Sequence, residues 1–149
     1  MKNLILSATL MISFVLSATT AKADPVSEKV QSKFVKLFSN VVDVSWSNAG
    51  KNYDAFFVLD NIKTRATFDS KGNLIQTIRY FGGEELPENV LKAIKSEYKG
   101  KEIHGATEVI NKYGSNYRIV LKDSKYYTHI NANSEGETQL VSEFKRADK

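Results

Sequence analysis

The chain has 149 residues, a formal net charge of +4 and no cysteine. The absence of cysteine excludes disulfide bonds, thiolate metal sites and a cysteine nucleophile. With 21 basic and 17 acidic residues and no dense run of Lys or Arg, the sequence lacks the basic patch of a nucleic-acid-binding protein. We therefore expect no nucleic-acid partner.

The first 23 residues have the pattern of a cleavable signal peptide. Lys2 supplies the positive start, an apolar run extends from Leu4 to Leu16, and Ala21-Lys22-Ala23 has the small residues of a cleavage site. The apolar run is about 13 residues long, whereas a membrane-spanning helix needs about 20, so a retained anchor is the weaker alternative. We expect cleavage near Ala23, no membrane anchor, and a periplasmic or secreted protein.

Each half of the remaining chain begins with a segment of helical periodicity. Val30 and Phe34 recur at helical spacing in the first half. Val90 and Ile94 do so in the second half, where Pro87 stands at the helix start. Both segments are predicted to be amphipathic helices with one apolar face.

After each helix the apolar periodicity changes to two, which predicts four strands in each half. In the first half the predicted strands are Val42 to Trp46, Tyr53 to Leu59, Ile62 to Phe68 and Leu74 to Tyr80. In the second half they are Ile103 to Asn111, Tyr117 to Lys122, Tyr126 to Ala132 and Thr138 to Phe144. Because the loops are short, successive strands must pair antiparallel, since a parallel neighbour needs a crossover of about a dozen residues.

The two halves match one another at an offset of 64 residues. Gly50-Lys51-Asn52-Tyr53 aligns with Gly114-Ser115-Asn116-Tyr117. Asp69-Ser70-Lys71-Gly72 aligns with Asn133-Ser134-Glu135-Gly136 at the same offset. A series of matches in one register predicts an internal duplication.

These patterns together predict an α+β fold. Two tandem units, each a helix plus a four-stranded antiparallel sheet, would form one body with a continuous or near-continuous sheet and both helices on one face. The predicted domain spans residues 24–149, with repeats at about 24–83 and 84–149.

Side-chain alternation along the strands separates a helix-facing side of the sheet from an open face. In the first repeat the helix-facing side is predicted to carry Tyr53, Ala55, Phe57, Leu59, Ile62, Thr64, Ala66, Phe68, Ile78 and Tyr80. The open face is predicted to carry Asp54, Phe56, Val58, Lys63, Arg65, Thr67, Ile75, Thr77 and Arg79, then Arg118, Val120, Lys122, Tyr127, His129, Gln139, Val141 and Glu143 in the second repeat. A one-residue error in strand register would exchange the two faces.

The open face mixes apolar, aromatic and basic side chains, a composition enriched at protein interfaces. Scattered apolar residues on a solvated sheet are also common, so an ordinary surface is the alternative. Eight residues are candidate binding residues: Phe56, Val58, Lys63, Arg65, Arg79, Arg118, Tyr127 and His129.

Two features could suggest a metal site. His104 and His129 are the only histidines, too few for most metal or triad arrangements without carboxylates. The segment from Asn131 to Gly136 follows the first half of an EF-hand loop, but Ser142 stands where a bidentate Glu is needed, and a hairpin turn accounts for the segment. No serine or glycine motif of a hydrolase or phosphate loop is present. We predict no enzyme, no catalytic residue, no metal and no cofactor.

The order of these motifs resembles the PepSY-like periplasmic protein family, which has a beta-lactamase-inhibitor-like fold. The resemblance rests on Val44-Ser45-Trp46-Ser47, Gly50 to Tyr53, Phe68-Asp69-Ser70-Lys71-Gly72, Leu86-Pro87-Glu88-Asn89-Val90 and Asn133-Ser134-Glu135-Gly136. It implies tandem helix-plus-four-strand units with a shared sheet, no catalytic constellation, and at most protein or peptide binding. Inhibition does not carry over, because no residue matches an inhibitory contact and the disulfide-forming cysteines are absent.

The sequence therefore predicts a non-catalytic exported binding module that captures a protein or peptide partner on its open face. The alternative is a periplasmic binder of a small molecule or an acidic ligand, which would use the basic residues Lys63, Arg65, Arg79 and Arg118 of the same face.

Overall fold

A computed structural model describes residues 26–147 of the chain. The predicted signal peptide lies outside the described residues, and its cleavage stays a prediction. Within residues 26–147 there are two α-helices and eight β-strands. In chain order these are α1 Glu28–Leu37, β1 Val44–Ala49, β2 Asn52–Leu59, β3 Ile62–Asp69, β4 Leu74–Phe81, α2 Glu88–Glu97, β5 Glu102–Asn111, β6 Gly114–Lys122, β7 Tyr126–Asn133 and β8 Thr138–Lys145.

The eight strands form one antiparallel sheet in the order of the chain, from β1 to β8. Every strand pairs with its neighbours in the chain. The pairing of β4 with β5, which α2 separates in the sequence, joins the sheets of the two units. The element order of one helix followed by four strands occurs twice. The predicted α+β fold with a continuous sheet is confirmed.

Each helix buries one apolar stripe against strands of its own unit. In α1 the side chains of Val30 and Phe34, one turn apart, are buried, and the backbone N–H of Val30 donates to Ser27 Oγ at the start of the helix. In α2 the corresponding buried side chains are Val90 and Ile94. No helix within residues 26–147 is long and apolar enough to cross a membrane.

Two apolar cores lie between the helices and the sheet. The first contains Val30, Phe34, Ala55, Phe57, Ala66 and Phe68. The second contains Leu86, Val90, Ile94, Ala106, Tyr117, Ile119, Leu121, Ile130 and Ala132. Burying a large apolar side chain contributes roughly 1.5–3 kcal/mol, so these contacts attach each helix to its strands.

Both helices lie on the same side of the sheet. Cross-strand partners point to one side, and one row of partners connects the two cores. This row runs through Phe57, Thr64, Arg79, Glu108 and Tyr117. Phe57 belongs to the core under α1 and Tyr117 to the core under α2. The opposite side of the sheet is the open face.

The two turns that match in the sequence pack against the helices of their own units. Gly72 has φ +81°, and a Cβ there would lie 3.2 Å from the backbone oxygen of Lys29. Gly136 has φ +89°, and a Cβ there would lie 2.9 Å from the backbone oxygen of Asn89, whose amide Nδ2 also donates to Ser134 O at 2.6 Å. Close approach and positive φ both require glycine at these two positions.

The second of these turns is held by its own side chains. Asn133 Oδ1 accepts hydrogen bonds from the backbone N–H groups of Glu135 and Glu137, each at 3.0 Å. Its Nδ2 donates to the Glu137 carboxylate at 2.7 Å. This arrangement is a hairpin turn, in agreement with the interpretation preferred from the sequence.

Three β-bulges shift the side-chain alternation along the sheet. Ile75 is the extra residue in β4, His104 in β5 and Val141 in β8. A bulge places two residues opposite one, so every residue beyond it changes face relative to a simple count.

The bulge at Ile75 makes the predicted faces of β4 wrong. Thr77 and Arg79, predicted on the open face, lie opposite Ala66 and Thr64 and thus on the helix side. Ile78 and Tyr80, predicted toward the helix, lie opposite Arg65 and Lys63 on the open face.

The bulge at Val141 has the same effect on Glu143 in β8. Glu143 was predicted on the open face, but it lies opposite Thr128 on the helix side. There it accepts hydrogen bonds from Thr128 Oγ1 and from Lys101 Nζ.

Candidate binding face

The open face carries most of the residues predicted from the sequence as candidate binding residues. On it the structure places Phe56, Val58, Lys63, Arg65, Arg118, Tyr127 and His129. These come from β2, β3, β6 and β7, the strands whose alternation the bulges leave unchanged. The structure shows that these seven side chains share one face of the sheet. Their proposed binding role stays a prediction.

Arg79, the eighth candidate binding residue, lies on the helix side of the sheet and not on the open face. Its Nη1 lies 2.7 Å from Glu108 Oε2 on the helix side, and Tyr117 donates its hydroxyl to Glu108 Oε1 at 2.9 Å. Glu108 is only 7% exposed, so it needs the guanidinium as counter-ion. Burial and the hydrogen bond to Glu108 raise the pKa of Tyr117 to about 12. Arg79 therefore neutralises a buried carboxylate where the two units meet and does not face a ligand on the open face.

One row of cross-strand partners crosses nearly the whole open face from β2 to β8. We call it the central row, and its members are Val58, Lys63, Tyr80, Thr107, Arg118, Asn131 and Gln139. Because partners in a row point to the same side, these seven side chains form one line perpendicular to the strands.

Three depressions follow the central row. The first, of about 630 Å³, is lined by Phe56, Val58, Lys63 and Tyr80 among others. The second, of about 720 Å³, includes Tyr80, Thr107, Arg118, Val120 and His129, and the third, of about 510 Å³, includes Asn116, Arg118, Asn131 and Gln139. Tyr80 borders the first two, and Arg118 and Asn131 border the last two. The depressions therefore form one shallow groove along the row.

Large apolar side chains remain exposed along this groove. Phe56 is 42% exposed, Val58 57% and Tyr80 44%. Val141, which lines the second depression, is 56% exposed. Phe144 lies outside the depressions, farther along β8 on the same face, and is also 56% exposed. Such exposed apolar area on an uncovered sheet face is a feature of interaction surfaces.

Tyr80 and Phe144 were missed as candidate binding residues. They match one another at the 64-residue offset, and both lie on the open face, opposite Lys63 and Tyr127 respectively. The only sequence signal was their position at the end of the last strand in each repeat. A simple alternation count placed Tyr80 on the wrong side.

The aromatic rings on β7 and β8 already have neighbours. Arg146 places its guanidinium 5.3 Å from the Tyr127 ring, and the centroid of the His104 ring also lies 5.3 Å from that of Tyr127. The His129 ring contacts that of Phe144 edge-on, with centroids 5.5 Å apart. Tyr127 and His129 are half-buried by these contacts, so Tyr80 and Phe56 offer more accessible rings.

The cations of the open face differ in their partners. Arg65 Nη1 lies 4.0 Å from Asp54 Oδ2, and its Nε is buried without a hydrogen-bond acceptor among residues 26–147. Lys122 Nζ lies 3.9 Å from Glu102. Lys63 and Arg118 have no ion pair or side-chain hydrogen bond with any residue in the described part of the chain. These two are the cations available to a ligand.

Comparisons with known proteins support the fold. No family model matches the sequence, and no curated protein matches it significantly. A BLIP-like protein from Bacteroides fragilis is similar with a TM-score of 0.67 and 21% identity, covering 84% of this chain and 89% of that one. A DUF2874 family protein from Bacteroides ovatus is similar with a TM-score of 0.68 and 21% identity, covering 84% and 91%.

A third solved structure comes from Bacteroides eggerthii and is provisionally described as a periplasmic protein. It has a TM-score of 0.66 and 18% identity, covering 81% of this chain and 89% of that one. At these identities the likeness shows the fold alone. The chain has a BLIP-like α+β fold.

Proposed function

We propose that this chain is a non-catalytic exported binding module of the PepSY-like kind, which captures a protein or peptide partner on its open face. The observation that carries the proposal is the line of exposed apolar side chains along the groove, from Phe56 and Val58 past Tyr80 to Val141. Covering such side chains removes apolar area from water, at roughly 25 cal/mol for each Å².

Export is part of the proposal. The signal-peptide pattern of residues 1–23 supports it, and so does the similar fold of a protein provisionally described as periplasmic. The likeness to BLIP-like and DUF2874 structures supports the fold that presents this open face.

The groups with shifted pKa values support a non-catalytic role. Tyr117 donates a hydrogen bond to the Glu108 carboxylate, and Lys101 donates to the carboxylates of Asp123 and Glu143. Asp123 and Glu143 are the carboxylates that hold Lys101. None of these four groups lines the groove, and neither does Asp69, the fifth group with a shifted pKa, whose carboxylate accepts hydrogen bonds within its own turn. Burial and hydrogen bonds within the fold account for the five pKa shifts.

A second candidate function is the binding of a small molecule or an acidic ligand by the basic residues of the same face. Lys63 and Arg118 favour it, because both lack a partner within residues 26–147. Arg65 belongs to the same face, whereas Arg79 no longer belongs to this set.

The proposal is tested by capture of a partner from native periplasm on immobilised chain 24–149, identified by mass spectrometry. We expect wild type to retain a partner that the double variant Phe56→Ala/Tyr80→Ala loses. The matched control is Val35→Ala/Leu37→Ala, which removes apolar side chains of similar exposure, 61% and 54%, from α1. Equal capture by both double variants would contradict an open-face site. An empty result with wild type would favour the small-molecule candidate.

A further inference from the structure

We propose that the groove binds an extended acidic segment of a protein partner, with two carboxylates four residues apart held by Lys63 and Arg118. The inference rests on the proposed function and deepens it, since it names the chemistry and the spacing that the open face recognises.

The first step concerns Arg118, which differs from the other three arginines. Arg65 lies near Asp54, Arg79 pairs with Glu108, and Arg146 donates to the backbone oxygen of Asp123. Arg118 is exposed in the middle of β6 and has no such partner in the described chain. A free guanidinium fork on a central strand suits a carboxylate, which it can hold through two parallel hydrogen bonds.

The residues on either side of Arg118 strengthen this site. Thr107 and Asn131 are its cross-strand partners in the central row. Their side chains make no hydrogen bond with any residue between 26 and 147. A hydroxyl and an amide therefore stand beside the guanidinium, and each can donate to a carboxylate bound there.

The second step is the distance to the other unpartnered cation. Lys63 and Arg118 lie in the same row, on β3 and β6, three strand spacings apart. Neighbouring strands are about 4.8 Å apart, which places the two positions about 14 Å from each other. An extended chain rises about 3.3 Å per residue, so about four residues cover this distance. Residues four apart on an extended chain point to the same side.

The third step concerns what lies between the two cations. Tyr80 and Thr107 fill the row between Lys63 and Arg118. The residue midway between the two carboxylates of the segment points to the same side and meets Tyr80, whose ring is accessible. An apolar or aromatic side chain fits this middle position.

The ends of the groove set the register of the segment. Asp43 lines the first depression and Glu137 the third. Both acidic residues lie outside the row, near its two ends. Further carboxylates of the segment would be repelled there, so the face selects two acidic residues at inner positions.

The test uses a fluorescein-labelled octapeptide with Glu at its second and sixth positions, Phe at its fourth and Ser elsewhere. Two probes control for it. One has Gln in place of both Glu, and the other has the same composition with the two Glu adjacent. Binding to the mature chain is measured by fluorescence anisotropy, and circular dichroism checks that each variant is folded.

We expect the spaced Glu peptide to bind about tenfold more tightly than either control peptide. Lys63→Gln and Arg118→Gln should each remove most of this preference and leave the affinity for the Gln peptide unchanged. Lys95→Gln makes the same charge change on an exposed position of α2 and should leave the preference intact. Added NaCl should weaken binding of the Glu peptide alone.

Equal affinity for the three peptides, or no binding at millimolar peptide, would overturn the acidic-segment inference. Its failure can be separated from failure of the proposed function by partner capture. If capture depends on Phe56 and Tyr80 but not on Lys63 and Arg118, the open-face site stands and the acidic segment is wrong. If capture depends on neither pair, both are wrong.

Discussion

Arg79 and Glu108 form a 2.7 Å ion pair across β4 and β5, at the junction of the two repeated units. The carboxylate is buried, and its second oxygen accepts the Tyr117 hydroxyl. The junction of two similar units thus has a polar connection between two apolar cores. A polar pair of this kind favours one register of β4 against β5, because a shifted strand would leave a buried charge unpaired.

Replacing Glu108 by Ala should lower the free energy of unfolding by about 2–4 kcal/mol, because it leaves Arg79 without its counter-ion and Tyr117 without its acceptor. Urea denaturation of wild type and variant measures this. Removal of the exposed pair on α2 by Lys92→Ala is the control, expected to change stability by less than about 0.5 kcal/mol. Similar losses for the two variants would show that the junction pair has no special role.

Loss of the Tyr117 hydroxyl should also destabilise the protein, by about 1 kcal/mol for Tyr117→Phe. Tyr113→Phe is the matched control, because Tyr113 is 81% exposed and its hydroxyl has no partner among residues 26–147. The raised pKa of Tyr117, about 12, gives a second measurement. The neutral Tyr117 hydroxyl contributes its full share of the free energy of unfolding below pH 10, and this contribution is lost as pH rises from about 10 to 12. Ultraviolet titration showing Tyr117 ionised at pH 10 would contradict this.

Asp123 should make stability depend on acid pH. Its hydrogen bond from Lys101, with those from the Lys125 and Tyr126 backbones, lowers its pKa to about 2. Since the pKa is lower in the folded state, this stability is present above the unfolded value of 3.8 and is lost as pH falls toward 2. Thermal melting between pH 5 and 2 should therefore be less pH-dependent in Asp123→Asn than in wild type. Parallel curves for the two proteins would count against this role.

Gly136→Ala should cost more than Gly114→Ala, although both glycines have positive φ, +89° and +106°. The strain of positive φ, roughly 1–3 kcal/mol, is common to both variants. Only at Gly136 would the new Cβ lie 2.9 Å from the Asn89 backbone oxygen, whereas it meets nothing within 4 Å at Gly114. Thermal denaturation measures the difference, and equal losses would mean that the turn does not pack tightly on α2.

The position of Tyr80 on the open face can be checked by cysteine labelling, because the chain has no cysteine of its own. Tyr80→Cys should react with a maleimide as readily as Phe56→Cys. Ala66→Cys, at a position with 0% exposure under α1, should react only slowly. Slow labelling of Tyr80→Cys, with normal labelling of Phe56→Cys, would show that Tyr80 lies on the helix side. The assignment of the central row would then be wrong.

Local patterns were sufficient for most of the fold. The helical spacing of Val30 and Phe34 and of Val90 and Ile94 identified both helices and their buried faces. The turns at Gly72 and Gly136 were identified because the two segments match at one offset and a hairpin turn of this kind takes glycine at positive φ. Period-two alternation also placed Phe56, Lys63 and Arg118 on the open face, since β2, β3 and β6 run without a bulge up to those residues.

Other features of the sheet could be assigned only from the pairing between neighbouring strands. Ile75 and Val141 have no cross-strand partner because the neighbouring strand supplies one residue fewer at each bulge. Alternation within a single strand gives no information about the number of residues in its neighbour. Hence Arg79 and Tyr80 exchanged faces, the Glu108 ion pair was not foreseen, and the central row was not visible.

The amino-acid sequence by itself determined the order of elements, the duplication and the apolar faces of both helices, because these follow from short-range periodicity and turn chemistry. Only the tertiary structure decided which side chains share a row across strands, because cross-strand register is set by pairing over long sequence separations. Lys63 and Arg118 are 55 residues apart in the chain, and the sheet brings them into one line with Tyr80 between them.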